Sequence, residues 1–322
     1  MLTDEKIKKI ELSVVVPVFN EEEGIGIFND LLSNALKKTN ITYEIIYVND
    51  GSTDNTSKIL SMIANNQKEV RLVSFSRNFG KEMATTAGID ASKGSATILM
   101  DADGQHPPEL ISIFLDKWRK GAKIVIGIRN SNQKEGLVKK YGSKLFYRLF
   151  NSTSGTELIP RSTDFRLIDS IVKEEFVNFS EHHRITRGLI DWLGFERDYV
   201  TFDSPARLAG KASYKTSQLV KLALNSFVSL SLKPLFYFGW VGAFITIVSL
   251  LTGIFIFVEQ LLLGDPLYLH FTGSAILGIL MSFLVGLVLI SQSIMATYMS
   301  HIHAQTQSRP LYVIDKSRSK RL

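Results

Sequence analysis

The sequence predicts an α/β domain built on a mostly parallel sheet, followed by a hairpin of two membrane-spanning helices. Three observations carry that expectation. Short apolar runs alternate with amphipathic stretches from Leu12 to Asn130. A polar cluster follows each apolar run. Two uncharged runs, 25 residues from Pro234 to Val258 and 29 from Phe271 to Met299, stand near the C-terminus.

LSVVVPVFN reads as a buried strand stopped by Pro17 and Asn20, with EEEGIGIFNDLLSNALKK a helix after it. YEIIYVNDGSTDNT is a second strand ending in a turn, where Ser52–Asn55 can cap the helix TSKILSMIANN. VRLVSFSRNFGKEMATTAGIDAS supplies a third strand, a loop at Arg77–Lys81 and a helix. SATILMDADGQHPPELISIFLDKWRKG supplies a fourth strand, a carboxylate turn and a helix opening near Pro107 and Pro108; AKIVIGIRN is a fifth strand. The connections are too long for hairpins, which implies crossovers and a sheet covered on both faces.

Each uncharged run, at about 1.5 Å per residue, exceeds the roughly 30 Å of a bilayer's hydrocarbon core. The segment between them carries Glu259 and Asp265 but no Lys or Arg. Arg207, Lys211, Lys215, Lys221 and Lys233 precede the first run; Arg309, Lys316, Arg318, Lys320 and Arg321 follow the second. The positive-inside rule then places both termini and the α/β domain in the cytoplasm, on an integral protein of the cytoplasmic (inner) membrane. The expected divisions are a catalytic domain at 1–215, an amphipathic juxtamembrane segment at 216–233, the hairpin at 234–299 and a basic tail at 300–322. The net charge of +6 sits largely on these flanks and suits anionic membrane lipid rather than nucleic acid. No apolar core of signal-peptide length precedes the first strand. The absence of cysteine excludes disulfides and thiolate metal sites. Ser274, Gly278, Ser282 and Gly286 recur every four residues, a close-packing face for the hairpin or for a homo-oligomer.

In parallel sheets, ligands bind beyond the carboxyl ends of the strands. Phe19–Glu21, Asn49–Asp54, Arg77–Lys81, Asp101–Gln105 and Arg129 all fall at that edge. In ILMDADGQHPPE the strand breaks so that Asp101 and Asp103 can converge on one hard cation, with Gln105 adding a carbonyl oxygen. Mg²⁺ or Mn²⁺ suits such a set and leaves positions for substrate phosphates. His106, before two prolines, reads as structural rather than as a ligand. An EF-hand loop is excluded because its sixth and twelfth positions would be His106 and Ser112. A phosphatase whose first Asp is the nucleophile would place the motif on the first strand, with Thr or Ser following. An ordinary acidic turn explains the carboxylates but not the other four clusters.

VVVPVFNEEEGI, YVNDGSTDNT, SFSRNFGKE, MDADGQHPPE and STDFRLID, in this order, resemble family 2 glycosyltransferases of the GT-A fold. The likeness is to the membrane-anchored branch of dolichol-phosphate mannose synthases and bactoprenol glucosyltransferases, and it extends through the hairpin to RPLYVI. It implies a Rossmann-like half that binds a nucleotide sugar. Pro17, Phe19, Asn20 and Glu21 would line the nucleoside pocket, and Asp50 would accept from the base. Asn49 stands where the family often has Asp. Asp101, Asp103 and Gln105 would hold the metal on the donor diphosphate, with Asn78 and Lys81 near ribose and phosphate. Arg129, Arg207, Lys211, Ser213 and Lys215 would bind phosphate, the last four in ARLAGKASYKT. Asp103, Asp164 and Arg166 are the catalytic candidates, Asp164 positioning sugar or acceptor and Arg166 the acceptor phosphate. In SEHHRITRGLIDWLG, His182 and His183 read as a helical cap, with Arg184 and Arg187 facing the acceptor.

The implied reaction transfers glucose from UDP-glucose to undecaprenyl or another polyprenyl phosphate, with Mg²⁺ or Mn²⁺ and with inversion. GlcNAc or mannose as the sugar, and a tethered nucleotide-sugar-binding protein without turnover, remain open. A processive polysaccharide synthase fits less well, since no Q-x-x-R-W run is present.

Overall fold

The computed structural model describes residues 10–130, 159, 161–181, 184–205, 273–307 and 309–322, with isolated positions between 244 and 258. The chain divides into two compact units, Met1–Tyr214 with Arg309–Leu322, and Lys215–Ser308.

Among the described residues of the first unit, seven strands form one sheet: β1 (Leu12–Val18), β2 (Tyr43–Asn49), β3 (Val70–Ser74), β4 (Ala96–Leu99), β5 (Ile124–Arg129), β6 (Ser162–Asp169) and β7 (Arg197–Phe202). Their order is β3-β2-β1-β4-β6-β5-β7. β1 to β4 run parallel, Val14 lying beside Ile45 on one side and Ile98 on the other. β6 is antiparallel to both neighbours, with Leu167 opposite Ile98 and Val125. β7 pairs in parallel with β5 at the edge. The sheet is therefore mixed and mostly parallel.

Helices cover both faces, which is why the central strands are apolar without alternation. α1 (Ile25–Lys37), α2 (Thr56–Asn66) and α4 (Ile111–Arg119) bury Phe28, Leu32, Leu36, Leu60 and Phe114 against Val14 and Val16. α3 (Lys81–Ala91), α5 (Ser170–Val177) and α6 (Thr186–Trp192) bury Ala84, Ala87, Val172, Phe176 and Leu189 around Val15 and Ile46. Each such large side chain contributes about 1.5–3 kcal/mol. Gly88 lets α3 press on β1: a Cβ there would fall 2.2 Å from a Val15 methyl.

The segment from Arg309, expected as a tail, packs along the outer edge of β3. Leu72 and Lys320 exchange backbone bonds of 3.1 and 2.8 Å, and Asp315 N–H donates to Ser74 O at 2.8 Å. A strand edge that would otherwise be open is thereby paired.

In the second unit α7 (Gly273–Thr306) runs 34 residues without Asp, Glu, Lys or Arg. Among the described residues no helix is long and apolar enough to cross a membrane. The surroundings of several α7 residues, Gly278, Ser282 and Gly286 included, lie outside that description, as do most of the first uncharged run and segment 216–233.

Candidate active site

At the carboxyl edge of the sheet, the loops after β1 and β2 are stitched together. Asn20, at φ 53°, accepts Thr53 N–H on its side-chain oxygen at 2.9 Å, and its own N–H donates to Ser52 Oγ at 3.0 Å. Glu21 N–H donates to Thr56 Oγ1 at 2.9 Å, and Asn49 Oδ1 accepts Ser52 N–H at 3.0 Å. Phe19 is left 44% exposed beside them, an open aromatic face.

Asp50, just after β2, meets the loop that follows β3. It is 2% exposed, and its two oxygens accept Phe79 N–H at 2.7 Å and Gly80 N–H at 2.9 Å. Burial pushes its carboxyl above the usual range in spite of those bonds and of Arg77. In this structure both oxygens of Asp50 anchor the Arg77–Gly80 loop. The approach is close enough to require glycine at 51, where φ is +66° and a Cβ would lie 2.3 Å from the Arg77 carbonyl carbon. Asn78 is exposed on this loop.

In the turn after β4, Asp103 Oδ1 accepts Gln105 N–H at 3.0 Å, and Gln105 Oε1 accepts Arg129 Nη2 at 3.2 Å. Arg129 Nε is buried without a hydrogen-bond partner. His106 is 2% exposed, accepts Asp101 N–H on Nδ1 at 3.0 Å and stacks on Phe165 at 5.1 Å. Burial pushes its pKa down, so the neutral ring is a structural post for the turn, as expected. Among the described residues no three His, Cys, Asp or Glu side chains cluster as a metal site. Asp101, Asp103 and Gln105 nevertheless fit a hard cation, because they offer two carboxylates and an amide oxygen and leave positions to substrate oxygens.

Lys81 opens α3 and reaches two carboxylates at once: its Nζ lies 2.6 Å from Asp101 Oδ1 and 2.8 Å from Asp164 Oδ2. Burial opposes the charge on Lys81, but the two carboxylates outweigh it and hold its pKa well above the ordinary value. Burial likewise opposes the charge on Asp164, and Lys81 and Arg187 hold its carboxyl well below the usual range. These groups line a cleft together with Pro17, Glu82 and Thr186. Glu82 accepts Thr186 N–H at 2.8 Å and Oγ1–H at 2.6 Å, which fixes the start of α6 and so the base of Arg187.

Arg166 shares the Asp164 face of β6. It is fully buried and paired with Asp191 at 2.7 Å. Its remaining bonds go to Thr163 O, Arg187 O and Ser162 Oγ at 3.1, 3.2 and 3.4 Å. Arg166 also lines the cleft with Asp164 and helps hold that carboxyl low, while these bonds join β6 to α6. Arg184 is also turned inward, 6% exposed and bonded to the carbonyls of Glu181 and Phe179. Arg187 alone of that pair lines the cleft. Arg207, Lys211, Ser213, Lys215, His182 and His183 lie outside the described residues. Sequence reasoning missed Asp191, Glu82 and Thr186, whose partners are 25 and 104 residues away.

The profile of "Glycosyl transferase family 2" matches residues 13–175. An uncharacterized glycosyltransferase of Synechocystis is 37% identical over 305 residues, 95% of this chain and 95% of that one. The bactoprenol glucosyl transferase of Shigella phage SfX is 35% identical over 309 residues, 96% of this chain and 100% of that one. Among solved structures, mannosyl-3-phosphoglycerate synthase from Rubrobacter xylanophilus is alike with a TM-score of 0.49 and 15% identity, over 67% of this chain and 71% of that one. The chain belongs to glycosyl transferase family 2 and is homologous along nearly its whole length to bactoprenol glucosyl transferases.

Proposed function

We propose that this glycosyltransferase moves glucose from UDP-glucose to undecaprenyl phosphate, or a similar polyprenyl phosphate, at the cytoplasmic face of the inner membrane. One observation carries the reading: a chain homologous along nearly its whole length to bactoprenol glucosyl transferases brings Asp101 of its D-x-D turn, Lys81 and Asp164 together in one cleft. The names of the relatives supply sugar and lipid. The two uncharged runs, with Leu277, Met281, Val285 and Val288 exposed on α7, favour a membrane hairpin.

Phe19 offers a face on which a nucleobase can stack, and Pro17, Asn20 and Glu21 hold the loop around it. Asp101, Asp103 and Gln105 would hold Mg²⁺ or Mn²⁺, which when bound neutralises charge on the departing diphosphate. A lipid phosphate arrives ionised, so the reaction needs no general base. Asp164, kept ionised by Lys81 and Arg187, is a poor proton acceptor and is suited to orienting a sugar hydroxyl. The phosphate oxygen of the lipid forms a bond to the anomeric carbon as the bond to UDP breaks on the opposite side, so configuration inverts. Arg129, Arg187 and the basic 207–215 segment would stabilise the phosphates, more strongly as charge moves to the leaving group.

The test is purified protein in detergent with undecaprenyl phosphate, Mn²⁺ and a panel of UDP- and GDP-sugars, followed by mass spectrometry of the extracted lipid. One glucosylated lipid phosphate from UDP-glucose, abolished by Asp103→Asn, is expected. Transfer of GlcNAc or mannose instead would change the donor. No lipid product from any donor, with the protein folded, would overturn the lipid acceptor and leave nucleotide-sugar binding to be measured.

A further inference from the structure

We infer that Tyr312, in the segment paired to the edge of β3, is a positioning residue for the nucleotide sugar: it holds the Arg77–Gly80 loop through Phe75 and Phe79. The inference rests on the proposed reading of the sheet's carboxyl edge as a nucleotide-sugar site.

The contacts form a continuous chain. Tyr312 stacks on Phe75 with centroids 5.0 Å apart and planes within 15°. Phe75 meets Phe79 edge-on at 5.6 Å, and the Arg77 guanidinium lies 4.0 Å from the centre of the Phe79 ring. Phe79 N–H is one of the two donors to Asp50. Tyr312 also donates its hydroxyl to Asp90 Oδ2 at 3.2 Å, in the last turn of α3, the helix whose first residue is Lys81. One side chain thus touches the end of α3 and, through two rings, the loop that leads into it.

The loop needs such a prop. Ser76, Arg77 and Asn78 are exposed, and Gly80 turns at φ +102° with nothing near the position of a Cβ. Covering the β3 edge does not by itself call for an aromatic side chain. The backbone bonds of Val313, Asp315 and Lys320 to Ser76, Ser74 and Leu72 already do so. The ring stack is an additional contact aimed at the loop.

The test uses the full-length protein in detergent, as Tyr312→Ala, Tyr312→Leu and Tyr312→Phe. Amide hydrogen exchange at Phe79 and Gly80 is compared with β1, and UDP affinity is measured with Mn²⁺ present. Stacked aromatic pairs predict exchange and UDP dissociation constant both rising about five- to tenfold in the Ala and Leu variants, with β1 unchanged and Phe close to wild type. The proposal is overturned if exchange at Phe79 and Gly80 stays at the wild-type rate, if it rises equally across the sheet, or if it rises there while UDP affinity is unchanged. If Tyr312→Ala does not fold, the Leu variant decides by the same reading. Failure of the wild-type protein to bind UDP or GDP would instead overturn the proposed nucleotide-sugar site, while the exchange rates still decide what Tyr312 holds.

Discussion

The ammonium of Lys81 sits 2.6 Å from Asp101 Oδ1, so the first turn of α3 places a fixed positive charge against a carboxylate of the D-x-D turn. A second contact, 2.8 Å to Asp164, makes Lys81 the bridge between two walls of the cleft. The pair ties the motif after β4 to Asp164 of β6, more than 60 residues along the chain.

A divalent cation at Asp101 must share that carboxylate with Lys81. Lys81→Met keeps the apolar stem and removes the competing charge. Mn²⁺ affinity without nucleotide is expected to rise about tenfold, roughly 1.4 kcal/mol, while turnover falls because Asp164 loses its partner. Mn²⁺ binding followed by electron paramagnetic resonance checks this. Unchanged or weaker binding would place the metal away from Asp101.

Arg166 and Asp191 form an ion pair with no exposure on either side. Removing one partner strands a buried charge, which costs about 3–5 kcal/mol. Arg166→Ala is therefore expected to lower the denaturation midpoint strongly, with activity lost in proportion to folded protein. Normal stability with abolished turnover would instead place Arg166 at the acceptor site.

The strands β1 to β5 were legible because each is a compact, largely apolar run closed by a polar turn, as burial on both faces requires. β6 was harder to recognise. Its run carries Asp164 and Arg166, and it reads as a strand only once Lys81 and Asp191 are there to meet them. β7 lies at the sheet edge with Arg197, Asp198 and Tyr199 part-exposed, so RDYVTF lacks a buried strand's pattern. At the site, Asp101, Asp103, Gln105 and Lys81 stood out because strand ends mark them. The contacts of Asp50 and Arg166 did not, since both depend on backbone groups or side chains brought in by tertiary contacts.

Asp50 as a loop anchor makes a prediction that separates it from a base reader. Asp50→Asn puts an amide N–H₂ opposite Phe79 N–H or Gly80 N–H, one of which loses its acceptor. Affinity for uridine and guanosine diphosphates should fall by the same factor, about tenfold for a lost charge-assisted bond of about 1.5–3 kcal/mol. Competitive binding of the two nucleotides measures the ratio. A loss confined to one base would show that Asp50 reads it.

Asp169 ends β6 and caps α5, accepting Ile171 N–H at 3.0 Å, Trp118 Nε1 at 2.8 Å and Lys123 Nζ at 3.3 Å. Burial pushes its carboxyl up, but those donors outweigh burial and its pKa lies below the ordinary value. A carboxyl with a depressed folded pKa adds stability that is fully present above the unfolded pKa of about 3.9 and is lost as pH falls through the folded value. Asp169→Asn can keep the cap but puts an amide N–H₂ opposite Trp118 Nε1 and Lys123. It should therefore cost about 1.5–3 kcal/mol at neutral pH, the scale of a charge-assisted bond. Denaturant midpoints of both proteins, followed from pH 7 downward, should stay apart by a constant amount until about pH 4 and then converge. A gap that widens on acidification would mean that burial, not the three donors, sets the charge of Asp169.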